Sequence, residues 1–193
     1  MKSRSTAIEI AAAAQGLLES EGSEAVTMRR VAKAVGITPM ALYRHYADRA
    51  DLLNALADAG FEELATRLAE ARPSGDVTKR LTKVLDIIVE HALQNPRLFE
   101  LMFLQRREGA RQYPRDLKAR RSPTANVATA LIREGMENGL FRRDDPWEIT
   151  FEIGALLQGL IMLYLGGRMS MSDARFRAFC HRSVRRHING IRS

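Results

Sequence analysis

Disulfides, secretory segments and membrane spans are absent or poorly supported in this sequence. Cys180 is the only cysteine among 193 residues, so no disulfide can form within the chain. It lies on an apolar helical stripe, which favours a buried thiol over a redox sensor. The chain opens with Met-Lys-Ser-Arg-Ser-Thr rather than an apolar signal segment. The longest apolar tract, residues 153–167, contains Gln158 and is too short to span a bilayer comfortably. We therefore expect a cytoplasmic protein without a membrane segment.

Residue patterns that indicate catalysis are also missing. None of the four histidines has the spacing of a metal-ligand pair, and there is no glycine-rich phosphate loop or nucleophile elbow. Asp144 and Asp145 are better explained as a turn followed by a helix cap than as an acid–base pair. We therefore expect neither an enzyme nor a bound metal or cofactor. The histidines are His45, His91, His181 and His187.

The charge balance is strongly basic, with a formal net charge of +7 and a pI near 10.1. Such a balance favours contact with a polyanion. The excess lies mainly in the second half of the chain. Residues 1–50 contain seven Lys or Arg against five Asp or Glu, residues 106–121 seven against two, and residues 168–193 seven against one. An ordinary solvated surface is the favoured explanation for the two distal clusters.

Helical periodicity covers most of the chain, and no strand pattern is found. Nine helices are predicted, so the fold class is all-α. Start signals are clear at Asp48, at Ser172, and at Asp145-Pro146-Trp147-Glu148, where a cap precedes a proline at the first helical position. The helices are predicted at about residues 4–20, at two short segments described next, at 48–71, 81–92, 95–104, 124–138 and 146–165, and from Ser172 onward, with a basic connection over 109–123.

The segment from residue 22 to residue 52 has the pattern of a helix-turn-helix. Thr27 is placed to cap a first helix, and Gly36 to end it in a left-handed conformation. Thr38 can cap the second helix, and Pro39 suits its first position. That second helix buries Leu42 and presents its other residues at an exposed face. This arrangement is typical of a helix that enters the major groove of DNA.

The same segment resembles the N-terminal DNA-binding region of TetR-family transcriptional repressors. Two departures stand out. Met40 lies where many members of that family have glycine, and Arg49 lies where most have lysine, which keeps the charge but changes its geometry. The resemblance rests on Gly22, Thr27, Val31, Ala32, Ala34, Val35, Gly36, Ile37, Thr38, Leu42, Tyr43, Tyr46, Arg49 and Leu52, all in register.

Two sets of DNA contacts are expected from this motif. Thr38, Pro39, Met40 and Arg44 can reach base edges. Arg44 is the candidate for a bidentate guanine contact, whereas Met40 could only make apolar contact, for instance with a thymine methyl. The resemblance implies phosphate contacts for Thr27, Tyr43, His45 and Arg49, which would fix register without reading sequence. Tyr46 is more simply explained as a core aromatic.

The sequence predicts two domains: a DNA-binding head, residues 1–47, and a larger effector-binding and dimerisation body, residues 48–193. The fourth helix is expected to contribute to both, so that a displacement of its far end would move the head. The resemblance implies that the body binds a small inducer, and methionines and aromatics suggest an apolar or amphipathic one. Ordinary core remains the favoured alternative for each candidate residue. The candidates are His91, Phe99, Met102, Phe103, Phe151, Ala155, Gln158 and Met162.

A homodimer is expected on two grounds. One short recognition helix reads too few base pairs, whereas two read a palindrome. The resemblance also implies that the last two helices pair with those of a second copy in a four-helix interface. The residues predicted there are Gly154, Gly159, Leu160, Phe176, Phe179 and Val184.

The sequence thus predicts a homodimeric regulator of transcription, most simply a repressor released from a palindromic double-stranded operator by a small-molecule effector. The alternative is a ligand-sensing or scaffold protein whose head binds a protein partner rather than DNA. Because phosphate neutralisation makes DNA binding fall steeply with salt, a salt titration with genomic fragments separates the two.

Overall fold

A computed structural model describes residues 2–71 and 74–192, with side chains from residue 6 onward. Apart from one 3-10 turn and an isolated β-bridge between Phe141 and Arg192, the regular structure of these residues is α-helical, as predicted. The 3-10 turn, Ser23–Ala25, follows the first helix. The helices are α1 (Lys2–Glu21), α2 (Met28–Val35), α3 (Pro39–Leu42), α4 (Arg49–Glu70), α5 (Val77–Gln94), α6 (Pro96–Phe103), α7 (Arg115–Lys118), α8 (Pro123–Glu137), α9 (Pro146–Leu165) and α10 (Asp173–Gly190).

All nine predicted helices are present, and the described residues contain a tenth, α7, inside the segment predicted to be a connection. Its four residues are too few to show helical periodicity in a sequence. The turn is organised around Asp116, whose buried carboxylate accepts hydrogen bonds from Arg115, Arg121 and the backbone N–H of Gln112 at 2.8–3.2 Å. The basic connection is therefore a structured loop with its own acidic centre.

The predicted caps outside the helix-turn-helix are confirmed. Asp48 Oδ1 accepts a hydrogen bond from the N–H of Asp51 at 2.8 Å, and Asp145 Oδ1 accepts from the N–H of Trp147 at 2.9 Å. Ser172 caps α10 in the same way. Each side chain satisfies a backbone donor that the start of a helix otherwise leaves without a partner.

The chain forms two compact units. The first contains Met1–Phe61 and Asn95–Ala110, and the second contains Glu62–Gln94 and Arg111–Ser193. Helix α4 therefore contributes residues 49–61 to the first unit and 62–70 to the second. The segment with α6 belongs to the same unit as the helix-turn-helix. The division at residues 47 and 48 stays a prediction.

Apolar faces of α1, α4 and α6 build the core of the first unit. The close approach of α4 and α6 requires Gly60, because a Cβ there would lie 2.6 Å from Met102 Sδ. Phe103 packs against Phe61 and Phe99, with ring centroids 5.0 and 4.6 Å apart. Other buried residues of this core are Ile10, Ala14, Leu18, Leu52, Leu53, Leu56, Leu98 and Leu101.

Helices α5, α8, α9 and α10 pack together in the second unit. Gly135 of α8 lies against the ring of the fully buried Phe141, where a Cβ would be 2.2 Å from a ring carbon. Phe176 is also fully buried and stacks on Tyr164 at 4.1 Å. Cys180 is buried as predicted, and burial raises the pKa of its thiol to about 11, so the thiol is protonated at neutral pH.

Helix α9 is longer than the apolar tract 153–167 on which the expectation of no membrane segment was based. Over all 20 residues, rather than the shorter uninterrupted tract, α9 is long and apolar enough to cross a membrane by length and composition. One such helix is weak evidence for a span. The rest of the chain buries 28% of the most apolar window of α9, and the other residues of that window are half-buried or exposed.

Candidate nucleic-acid interface

Local hydrogen bonds fix the geometry of the helix-turn-helix. Thr27 Oγ1 accepts from the N–H of Arg30 at 3.3 Å and begins α2. Gly36 ends α2 with φ of 76°, in the left-handed region that favours glycine. Thr38 Oγ1 then accepts from the N–H of Ala41 at 3.2 Å, and Pro39 occupies the first position of α3. All four predicted roles are confirmed, and the turn between the helices is set by adjacent residues alone.

The outer face of α3 and the turn that follows it present the side chains predicted to meet DNA. Helix α3 ends at Leu42, so Tyr43, Arg44 and His45, expected on this helix, lie in that turn. Leu42 is fully buried and anchors the opposite face. Met40 is 70% exposed and Tyr43 is 49% exposed, although both are large and apolar in part. Arg44 is exposed next to them. Thr38 and Pro39 are exposed, whereas Thr27 and His45 are half-buried. The face therefore combines apolar contact surface with donors suited to base edges and phosphates.

Tyr46 was expected to be a core aromatic and is only partly enclosed. It is half-buried, and burial together with the negative charge of Asp51 raises the pKa of its hydroxyl.

Arg49, expected from the resemblance to contact a phosphate, makes hydrogen bonds within its own chain. Its guanidinium donates from Nε to the carbonyl of Val26 at 2.9 Å and from one terminal nitrogen to the carbonyl of Ser23 at 2.8 Å. The same nitrogen lies 3.3 Å from Glu24. Two of its donors are therefore engaged by the protein backbone. The sequence could not show this, because both carbonyls precede Arg49 by more than 20 residues.

Residues predicted to line a ligand site are divided between the two units. Phe99, Met102 and Phe103 belong to the first, where Phe99 and Met102 are buried core residues. In the second unit, His91 is buried on α5 and Gln158 is half-buried on α9. Three other residues of α9, Phe151, Ala155 and Met162, are exposed on its outer face. These three do not point into the interior of the second unit, because α9 packs through its opposite face.

His91 is the buried titratable group of this set. Burial lowers the pKa of its imidazole, the charge of Glu63 raises it, and that of Arg67 adds to the lowering. The ring is therefore neutral at pH 7. A small cavity in the same unit, about the size of one water molecule, lies between α5, α9 and α10. It is lined by Thr82, Leu85, Val89, Leu157, Cys180, His181, Val184 and Arg185, none of which was a predicted ligand contact.

The residues predicted for the dimer interface fall into two groups. Phe176 and Val184 are buried by their own chain, so their side chains serve the core and are not available to a second copy. Gly154, Gly159, Leu160 and Phe179 remain partly exposed. The sequence missed Leu163 and Leu165, which extend the exposed apolar face of α9 beyond Phe151 and Met162. An apolar stripe indicates burial, but it does not tell which partner covers it.

Comparison with known proteins identifies both parts of the chain. Residues 10–56 match the profile of bacterial regulatory proteins of the tetR family, and residues 81–187 match that of the tetracyclin repressor-like C-terminal domain. The nucleoid occlusion factor SlmA of Photobacterium profundum is 33% identical over 92 residues, 47% of this chain and 47% of that protein. The matched region thus spans about half the length of this curated relative.

Solved structures are similar over nearly the whole chain. A tetR-family regulatory protein from Rhodococcus has a TM-score of 0.70 at 22% identity, covering 96% of each chain. The transcriptional regulator FadR from Bacillus subtilis, solved in complex with stearoyl-CoA, has a TM-score of 0.76 at 14% identity, covering 95% of this chain and 98% of that one. These likenesses show the fold. With the C-terminal profile matching more than half of the residues, the chain belongs to the TetR family of bacterial regulatory proteins, a class of DNA-binding, ligand-responsive transcriptional regulators.

Proposed function

We propose that this protein is a cytoplasmic, homodimeric repressor that binds a palindromic operator and is released by a small apolar or amphipathic ligand. The observation that carries the proposal is the surface formed by α3 and the turn after it, where Met40, Tyr43 and Arg44 are exposed around the buried Leu42. Large apolar groups beside a cation, held on a capped helix, fit the floor of a major groove.

The exposed face of α3 divides by chemistry. Arg44 reads a guanine through two hydrogen bonds, and Met40 packs against apolar base edges, with Thr38 and Pro39 beside it. Tyr43, His45 and Thr27 contact phosphates and set the register. Met40 occupies the position where glycine is common in the family, so it narrows the set of operator sequences that this protein accepts.

The dimer forms through the outer face of α9. Phe151, Met162 and Leu163 are 45%, 50% and 43% exposed on that face. Gly154 and Gly159 allow close approach of a second helix, because nearly nothing occupies the space that a Cβ would fill at either position. A contiguous apolar face of this kind marks a protein interface more often than free surface. Two copies then present two α3 helices to a palindrome.

The ligand proposal rests on the family and on the second unit. His91 is neutral and buried on α5, so it is suited to hydrogen bonding rather than to ion pairing. The B. subtilis regulator with stearoyl-CoA shows that this fold accommodates an amphipathic molecule. A ligand changes DNA affinity only through its different affinity for the two states, typically about 1–3 kcal/mol of coupling. By reciprocity, operator DNA must weaken ligand binding by the same factor.

The test is a mobility-shift titration of the purified protein with fragments of the source genome over a series of salt concentrations. Specific binding should give one retained fragment class, and the logarithm of affinity should fall linearly with the logarithm of salt. Binding without salt dependence, or no retained fragment at all, would contradict the proposal and favour the scaffold alternative. Acyl-CoA and free fatty acids of matched chain length are the first ligands to add, with release of the fragment as the readout.

A further inference from the structure

We propose that Arg49 is a positioning residue that fixes the start of the helix-turn-helix to α4, rather than a contact to operator phosphate. The inference rests on the proposed DNA binding, because its consequence is the placement of α3 in the groove. Arg49 is the first residue of α4, and its two acceptors are Ser23, which begins the 3-10 turn, and Val26, which follows that turn and precedes the cap of α2.

The hydrogen bonds of Arg49 define two fixed points on the backbone. Nε donates to the Val26 carbonyl at 2.9 Å, and a terminal nitrogen donates to the Ser23 carbonyl at 2.8 Å. Val26 directly precedes Thr27, whose hydroxyl starts α2. One planar group thus holds the entry to α2 against the first turn of α4. Charged donors at these distances make strong hydrogen bonds, and two from one rigid plane also fix orientation.

The charges around Arg49 oppose a phosphate contact. Glu24 lies 3.3 Å from the guanidinium. Asp48 and Asp51 flank Arg49 in the chain, and both are exposed. Their carboxylates accept backbone N–H groups, Asp48 from Asp51 and Asp51 from Ala47 at 3.0 Å. A phosphate brought to Arg49 would approach three carboxylates and compete with two backbone carbonyls for the arginine donors.

This geometry explains why arginine rather than lysine serves at this position. A lysine ammonium is a point charge that cannot hold two separate carbonyls in one plane, although it would serve a phosphate well. Loss of the clamp frees the Ser23–Val26 backbone to shift, and α2 and α3 shift with it. A displacement of about 1 Å is enough to misplace base contacts whose hydrogen bonds tolerate only a few tenths of an ångström.

The experiment compares Arg49→Lys and Arg49→Met with the wild type in operator binding over a salt series. Arg29→Lys is the matched control, because Arg29 is an exposed arginine of α2. We expect both Arg49 variants to bind about tenfold more weakly, with Arg49→Met the weaker. We expect the slope of log affinity against log salt to equal that of the wild type, since no phosphate contact is lost. The control should bind like the wild type.

The phosphate role predicts a different pattern. Arg49→Lys would then bind like the wild type, and Arg49→Met would lose about 1.8 from the magnitude of the dimer's salt slope, about 0.9 for each phosphate. That result overturns the inference. Stoichiometric titration well below the thermal midpoint gives the active fraction of each variant, so a folding defect is not mistaken for weak binding. If the wild type itself shows no salt-dependent binding, the proposed function fails instead.

Discussion

Two helices of this chain expose large apolar side chains, and their surroundings differ. At α3 and the turn after it, Met40 and Tyr43 are close in the chain to Thr38 and to the exposed cation of Arg44. On α9, Phe151, Met162 and Leu163 lie among glycines and alanine. Exposure of apolar side chains alone therefore does not distinguish a DNA-binding face from a protein interface. The neighbouring donors distinguish a face suited to base edges from a face suited to another apolar helix.

The two faces also differ in how their positions are fixed. Caps and a glycine within a dozen residues of one another set the turn between α2 and α3, and the proposed Arg49 clamp holds the helix-turn-helix to α4. Face α9 is placed by the packing of α5, α8 and α10 against its opposite side. Damage to the first should therefore be local to DNA reading, whereas damage to the second should affect assembly.

The same substitution on the two faces tests this comparison with the largest expected effect. Met162→Glu would place an unpaired charge in the apolar interface, at a cost of about 3 kcal/mol or more, which is about a hundredfold in dimer affinity. Because Met162 is exposed in the single chain, the protomer should still fold. Sedimentation velocity should show monomers, and operator binding should be lost with the dimer.

Met40→Glu is the matched variant on α3. Its charge should be repelled by DNA while the protein remains a dimer in the same sedimentation experiment. Dimers from Met162→Glu, or monomers from Met40→Glu, would show that the two exposed faces have been assigned to the wrong partners.

A smaller effect is expected for Arg44→Ala. Loss of a bidentate guanine contact costs about 1–3 kcal/mol in each half-site, and the loss should apply to the operator and not to random DNA. Competition footprinting with both DNAs measures the ratio. Arg44→Lys, which keeps the charge but not the fork, should retain non-specific affinity and lose part of the specificity. An unchanged footprint for Arg44→Ala would remove Arg44 from the reading face.

Sequence reasoning succeeded where the cause of a structure is local. Thr27, Gly36 and Asp145 each act on residues a few positions away, so their roles followed from the pattern. It failed where the cause is distant. The acceptors of Arg49 lie 23 and 26 residues earlier in the chain. No local pattern specifies such a contact.

The dimer residues show a second limit. Phe176 and Val184 share one apolar stripe of α10, and that stripe is covered by the same chain. Amphipathic spacing identifies which residues avoid water, but the covering surface is decided by tertiary packing. The exposed face of α9 could be identified only from the structure, which shows the opposite face packed against α5, α8 and α10. For the same reason, the sequence could not show that the candidate ligand residues Phe151, Ala155 and Met162 lie on the exposed face of α9.

The smallest expected effect concerns the loop that meets the outer face of α9. Tyr113 stacks on Phe151 with ring centroids 4.3 Å apart, and Asp116 organises the turn that follows. The hydrogen bonds from Arg115, followed by the N–H of Gln112, hold the pKa of the Asp116 carboxyl well below its usual range. A depressed pKa in the folded state means that the unfolded chain binds the proton more readily. The stabilisation is therefore fully present above the ordinary aspartate pKa and is lost as pH falls through the folded value.

Asp116→Asn should accordingly lower the thermal midpoint by a few degrees at pH 7 and expose more of Phe151. The difference between variant and wild type should shrink as the pH is lowered below about 4, the ordinary aspartate value. Thermal melts at pH 7, 5 and 3 measure the trend, with Glu137→Gln as the control because Glu137 is an exposed acid of α8. A constant difference across that range would mean that Asp116 acts through packing and not through its charge. The loop that carries Tyr113 would then cover part of the apolar face of α9 through its packing alone. The difference between the faces of α9 and α3 would in that case not change with pH.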